Sequence, residues 1–550
     1  MIALLPLALA ALAQDAEPAF TRSDVTLPRN GVRLALEDAD GDGDLDLFRM
    51  DSNGITIHLQ DDAGAFLATT TQPLRWPSTG LAWDLDDLDG DGATEVLLFV
   101  DGARVQSHQL QPDGTFSEAK VVLEAKGWLP PGSYRVNFAR DVDGDGHTDL
   151  VLPDQRAHRI YLATPGGETA FAPALEVRYS ANVKYEMGDP GSLDGRFGRS
   201  VSVPWFELYD VDGDGTRDLV SETREQVAFH LADPVLSAEP TWVLDLVELA
   251  KQLPKTDGIN LDDLLSNIDD TVQWEIADLD GKAPNDFVLG LGGKFQVFLG
   301  GSRGGPTGTP DQVLKSSGKV LTFFVRQVLG DERPDLQLLR GERISLGRAL
   351  RYLILPGRLD FEVYTYGNEG GTFARRPTQR GTLGLEIPRL LSFADDAEGV
   401  SKQVDEQFEI PALRLAWDED GKRDDVADVS QGKLTIQRNC APRPTAIESL
   451  MDGSPSFEGI IEAFVLIELD QRGDEGEVVF GLDELPKYDL APGSILRKAA
   501  SGKPVAARVP FDQLEQPELR IVDLDGDGRD DVVGWGRGAG TWEVRLFVRR

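Results

Sequence analysis

A chain of 550 residues, 41% of them hydrophobic, can bury a sizeable core. Its 55 Lys+Arg stand against 94 Asp+Glu, and the resulting net charge of −39 repels nucleic acid and anionic lipid alike. The single cysteine, Cys440, leaves no intrachain disulfide.

In chain order, the first segment is an apolar run from Ile2 to Leu12 that ends in Ala11-Leu12-Ala13. It reads as a secretory signal over residues 1–13, cut before Gln14, although only the α-amine supplies its positive end. No later stretch stays apolar for the ~18 residues of a membrane span. Residues 14–550 therefore read as one exported domain, bound for the periplasm, the outer surface or the medium. With no disulfide to staple such a protein, bound calcium is the expected substitute.

Five segments repeat one acidic device. The first has Asp38, Asp40, Asp42 and Asp46 at positions 1, 3, 5 and 9, with glycines at 4 and 6. The others place Asp87, Asp89, Asp91 and Glu95; Asp141, Asp143, Asp145 and Asp149; Asp210, Asp212, Asp214 and Asp218; and Asp523, Asp525, Asp527 and Asp531. Such a loop offers only hard oxygen ligands and folds tightly enough to need residues that tolerate positive φ, which fits calcium better than magnesium. Position 7 (Asp44, Ala93, His147, Thr216, Arg529) is expected to offer its backbone carbonyl, which frees its side chain to vary. About five calcium sites are expected, one per intact loop.

These are not EF-hands. Position 12 reads Arg49, Leu98, Leu152, Ser221 and Gly534 where a bidentate Glu is required, and strand-like runs such as Glu95 to Phe99 follow. Three weaker copies intervene. Asp278 to Asp286 carries Lys282 at position 5, Gly330 to Leu336 keeps only the second half, and Asp418 to Val426 is one residue short. They are expected to keep the turn and to bind metal weakly or not at all.

The consecutive copies start at 38, 87, 141 and 210, a spacing that signals stacked supersecondary units. Each unit reads strand, acidic loop, strand, strand, then a Gly/Thr-x-Phe step such as Gly64-Ala65-Phe66 into a fourth strand. Four short antiparallel strands per unit is the composition of a propeller blade. After the last acidic loop only two strands remain, ending in Trp542 to Val548, and the missing fourth strand is supplied by Ala19 to Leu27. The expected fold is all-β: a β-propeller of seven or eight four-stranded blades whose N-terminal strand closes the last blade, removing exposed edges. Insertions are expected at about 232–273, where Trp242 to Leu253 and Asn260 to Ile268 have helical spacing, and at 341–412 and 441–515.

Phe197-Gly198-Arg199-Ser200-Val201, followed by Asp210-Val211-Asp212-Gly213-Asp214-Gly215, carries a more specific likeness. On these residues the chain resembles the FG-GAP/VCBS repeat family, whose members include the calcium-binding propellers of integrin α chains. The Gly-Ala-Pro half of that motif is missing, with Val533-Gly534-Trp535 and Leu289-Gly290-Leu291 the nearest remnants, which favours a bacterial secreted branch. The resemblance implies a propeller with calcium between the first two strands of several blades.

Catalytic signatures are absent from the sequence. The histidines (His58, His108, His147, His158, His230) are scattered, Ser316 to Lys319 satisfies S-x-x-K without its partner motifs, and Arg472-Gly473-Asp474 is a lone tripeptide. Trp83, Trp205, Trp274 and Trp417 precede acidic loops and read as blade packing, while Trp128 and Trp242 are the candidates for stacking on a sugar. The chain is expected to act as a non-enzymatic adhesion scaffold for a surface protein or glycan. The alternatives are a propeller belonging to a secreted hydrolase or lyase, and a structural component of the envelope.

Overall fold

The computed structural model describes residues 20–27, 33–51, 53–129, 134–154, 156–164, 170–178, 182–187, 197–202, 206–223, 225–232, 236–254, 270–300, 308–329, 333–387, 412–417, 425–430, 432–438, 495–496, 505–511, 514–537 and 541–549. The signal segment, Trp205, Cys440, the loop at 418–424 and Arg472 to Asp474 lie outside the described residues.

Among these residues the fold is a succession of mostly four-stranded antiparallel sheets. Sheet 1 contains Arg33–Glu37, Asp46–Asp51, Gly54–Gln60 and Phe66–Ala68. Sheet 2 contains Gly80–Asp86, Glu95–Val100, Arg104–His108 and Lys120–Glu124, with Tyr134–Arg135 added in parallel on its first strand. Sheet 3 is Ala139–Arg140, Asp149–Pro153, Ala157–Ala163 and Phe171–Arg178; sheet 4 is Phe206–Tyr209, Asp218–Glu222, Gln226–His230 and Trp242–Asp245. Sheet 5 is Val272–Ala277, Asp286–Leu291, Lys294–Phe298 and Gln312–Lys315; sheet 6 is Lys319–Arg326, Asp335–Gly341, Gly357–Tyr366 and Gln379–Ile387. Sheet 7 joins Ala412–Leu415, Asp425–Ser430, Lys433–Gln437 and Val505–Pro510 with the short strand Ile495–Leu496.

Sheet 8 takes three strands from the far end of the chain, Glu515–Val522, Asp531–Arg537 and Trp542–Arg549, and its fourth is Phe20–Leu27. That strand pairs antiparallel with Trp542–Arg549 from Phe20↔Arg549 to Leu27↔Trp542. The long-range closure expected from the sequence is therefore present. Phe197–Ser202 forms a separate hairpin with Asn182–Met187.

Neighbouring sheets share their cores, because each buries the apolar alternation of its strands against the next. Val25, Leu27 and Val544 of sheet 8 pack with Leu34, Leu36 and Leu47 of sheet 1, and Phe547 of sheet 8 packs with Leu434 and Ile436 of sheet 7. Phe48 and Ile57 of sheet 1 meet Trp83, Val96 and Leu98 of sheet 2. Comparable clusters join sheets 2 and 3, 3 and 4, 4 and 5, and 5 and 6.

Two expectations about the inserted segments need correction. Trp242 to Leu253 does not form one helix: Trp242–Asp245 is the fourth strand of sheet 4, and only Leu246–Ala250 is helical (α1). Stacking of the Trp242 ring on Phe229, with centroids 3.5 Å apart, packs that strand against the core shared by sheets 4 and 5. The range 341–412 supplies the third and fourth strands of sheet 6 and carries one helix, α2, Leu346–Ile354, between its second and third strands. Asn260 to Ile268 lies outside the described residues.

Candidate metal centres

Each acidic loop links the first and second strands of its sheet, so the alternating chain direction puts all of them at the same end of the sheets. The carboxylate at position 1 organises the turn. Asp38 accepts the Gly41 and Gly43 N–H groups at 2.7 and 2.9 Å, and Asp210 accepts those of Gly213 and Gly215 at 2.5 and 2.9 Å. Asp87 and Asp141 do the same for their own glycines, and Asp523 accepts from Gly528. Position 5 accepts the N–H of position 7: Asp42 from Asp44, Asp91 from Ala93, Asp145 from His147, Asp214 from Thr216 and Asp527 from Arg529. The glycines at position 6, Gly43, Gly92, Gly146, Gly215 and Gly528, all have positive φ between 79° and 95°, a conformation that tolerates few other residues.

These turns gather carboxylate oxygens within 4.8 Å of one another. In the first two loops the groups are Asp38, Asp40 and Asp42, and Asp87, Asp89 and Asp91; in the next three they are Asp141, Asp143 and Asp149; Asp210, Asp212 and Asp218; and Asp278, Asp280 and Asp286. Burial pushes Asp40, Asp143, Asp212 and Asp525 upward, and the neighbouring acid at position 5 adds to the push. An all-oxygen set of mutually repelling acids in a preformed turn fits a hard cation such as calcium, which removes the repulsion.

Position 9 does more than the sequence suggested. Asp46 is 1% exposed; its Oδ2 accepts the Ala39 N–H at 2.8 Å, and its Oδ1 accepts the Gln60 N–H at 2.7 Å. It thereby clamps the acidic loop to the end of the third strand. Asp149 (Val142, Ala163), Asp218 (Val211, Ala232), Asp286 (Leu279, Gly300) and Asp531 (Leu524, Arg549) repeat both bonds, and Glu95 accepts from Leu88. Burial, reinforced by the other loop acids, pushes Asp46 and Asp531 up to about 8, Glu95 to about 7, and Asp149 and Asp218 to about 6. A proton on these carboxylates competes with the two N–H groups they accept, whereas a shared cation does not.

The weaker copies keep this clamp. Asp335, fully buried, accepts from Val328 and Leu329 at 3.1 and 2.8 Å and from Asn368 at 3.1 Å, and Asp425 accepts from Trp417 at 2.9 Å. In the fifth loop Lys282 Nζ lies 2.7 Å from Asp280 Oδ2, which places an ammonium where the intact loops hold a carboxylate. In the eighth loop Arg529 pairs with Asp527; burial pushes that carboxyl up, but hydrogen bonds to Arg529 bring it below the usual carboxylate range.

Sequence reasoning missed position 8, the residue just before the clamp. Leu45 N–H donates to the Leu524 carbonyl at 2.8 Å, and Thr94 N–H donates to the Asp38 carbonyl at 2.8 Å. Thr148 Oγ1 donates to Asp86 at 2.9 Å, Asn285 Nδ2 donates to the Asp210 carbonyl at 2.9 Å, and Asp530 accepts the Ala416 N–H at 2.6 Å. Each bond joins a loop to the preceding sheet, linking the seventh, eighth, first, second and third loops in one series and the fourth with the fifth. Residues as unlike as Leu, Thr, Asn and Asp serve here because the backbone often makes the bond, which leaves little trace in the letters.

Other candidates take structural places. Trp83 and Trp417 are buried, Trp274 packs on Phe229 and Phe287, and Trp128 donates its backbone N–H to the Pro153 carbonyl. His108 and His230 bond the Ser117 and Ser237 carbonyls, and His158 is buried edge-on to Phe206.

A chain of four-stranded sheets, each opened by a buried acid and several carrying a cation-competent turn, belongs to the repeat-built β proteins. A family model described as FG-GAP-like repeat matches residues 38–98 and 87–152, so this part of the chain carries repeats of that type. No curated protein matches it. Among solved structures, an Agrocybe aegerita lectin described as recognising non-reducing terminal N-acetylglucosamine is 18% identical, over 64% of this chain and 85% of that one, with a TM-score of 0.31. The Photorhabdus luminescens Tc holotoxin pore is 17% identical over 76% of this chain and 20% of that one, with a TM-score of 0.22. Overlaps this loose carry no functional inference.

Proposed function

We propose that the eight sheets close into an eight-bladed propeller, that calcium in the five intact loops stiffens one face, and that the exported protein is a non-catalytic binding scaffold for a surface protein or glycan. The observation that carries this reading is the acidic rim: a cation-competent turn recurs in the first five sheets, and hydrogen bonds tie the first loop to the eighth and second, the second to the third, and the fourth to the fifth. Closure by Phe20–Leu27 and the cores that sheet 8 shares with sheets 7 and 1 support the ring. Calcium ties down loops that otherwise repel one another, and a rigid scaffold is what lets surface loops present a ligand site.

Immobilised protein, calcium-loaded or EDTA-treated, is probed with a glycan array and with purified envelope proteins. A ligand retained in calcium and lost in EDTA supports the reading. Turnover of a polysaccharide or phosphoester would replace it with the enzymatic one, and calcium binding without any ligand would leave a structural envelope role.

A further inference from the structure

Helix α2 is docked inside out. Its aromatic and polar side faces the sheet: Tyr352 is buried, its hydroxyl donates to the Arg358 carbonyl at 2.6 Å, and Arg348 bonds the same carbonyl at 2.9 Å and Glu342 at 2.6 Å. Gly357 makes this seat possible, since a Cβ there would lie 1.9 Å from the Tyr352 ring. The apolar side faces outward, with Leu346, Leu350 and Ile354 at i, i+4 and i+8, followed by Leu355, exposed by 39, 51, 66 and 49%. A soluble helix normally buries such a stripe.

Its charge is equally out of place. Residues 340–362 contain five arginines and three acids, a net of +2 within a chain of −39. The three acids, Glu342, Asp360 and Glu362, are paired with Arg348, Arg358 and Arg340, which leaves the positive excess to Arg343, just before the helix, and Arg351, next to Leu350, both exposed. The helix joins the second and third strands of sheet 6, so it stands at the opposite end of the sheets from the acidic loops. At ~8 Å screening length the rim's charge is not felt there.

We propose that α2 is a membrane-docking helix that lies in the interface of an anionic phospholipid bilayer. Leu346, Leu350, Ile354 and Leu355 enter the acyl boundary while Arg343 and Arg351 contact lipid phosphates, the arrangement of an interfacial amphipathic helix. The repulsion of anionic lipid inferred from total charge holds for the acidic end and is reversed at this one. Docking here turns the acidic rim away from the bilayer, and charge complementarity favours lipid over a second copy of this acidic chain.

The test is co-sedimentation of the full chain with phosphatidylcholine vesicles, with and without phosphatidylserine. Binding should require phosphatidylserine, fall with salt, disappear in Leu350→Asp/Ile354→Asp, and weaken about thirtyfold in Arg343→Gln/Arg351→Gln. All four residues are exposed, and unchanged melting confirms that the variants fold. Leu350→Cys in a Cys440→Ser background, labelled with a polarity-sensitive dye, reports insertion directly: its emission should be water-like alone and shift to the blue with anionic vesicles. Absence of binding, equal binding to neutral vesicles, or an apolar emission without lipid overturns the proposal. Self-association abolished by the Asp variants also overturns it, in favour of an interface between copies.

Discussion

Asp149→Asn and Asp335→Asn, made separately, divide the two jobs of position 9. Asp149 accepts two backbone N–H groups and also gathers with Asp141 and Asp143, whereas Asp335 accepts three N–H groups in a sheet without an intact acidic loop. An amide keeps one acceptor oxygen and turns its NH₂ toward a donor, so each change leaves at least one buried N–H unsatisfied at a cost of about 2–3 kcal/mol. In EDTA the two variants should lose similar stability, which for cooperative unfolding of a chain this long is about 2–3 °C in melting temperature. In calcium at ~100 times the dissociation constant, a lost site adds about 2.7 kcal/mol to Asp149→Asn only. Differential scanning fluorimetry in both buffers reads the four numbers. A calcium-sensitive penalty for Asp335→Asn, or a calcium-independent one for Asp149→Asn, would refute the division.

The fifth loop departs from the intact pattern at Lys282 and Ala283, so Lys282→Asp/Ala283→Gly should raise the calcium stoichiometry by one in calorimetric titration. Leu27, 1% exposed between sheets 8 and 1, should cost about 2–5 kcal/mol on truncation to Ala, seen as a lower denaturation midpoint, since it closes the last sheet onto the first core. Asp84 is pushed up to about 6 by burial, against the opposing pull of Arg135. Its folded form holds a proton more tightly than the unfolded one, so its contribution to stability is full below about pH 4 and lost as pH rises through about 6. Asp84→Asn should flatten the stability profile over that window relative to wild type, whatever constant offset the loss of the Arg135 contact brings.

The acidic turns were legible because their chemistry needs fixed residue types at fixed spacing, and closure was legible because Trp542 to Val548 lacked a partner strand that Ala19 to Leu27 could provide. Position 9 was only half legible. Asp335 and Asp425 look like remnants of lost metal sites, yet each persists as a clamp because buried N–H groups need an acceptor whether or not a cation is near. The rim bonds of Leu45 and Thr94 could not be read, since backbone donors carry no side-chain signature. Trp242 misled for another reason: apolar residues at helical spacing also suit a short strand that runs into a single helical turn. The outward face of α2 is visible only once Tyr352 and Arg348 are seen holding the other side.

Calcium titration of metal-stripped protein, followed by calorimetry and thermal melting together, tests the central claim most directly. The account predicts about five bound ions, one per intact loop, with a melting temperature that climbs as they bind. No binding, or binding that leaves the melting temperature unchanged, would contradict it and leave the acidic rim as bare turns held by their own hydrogen bonds.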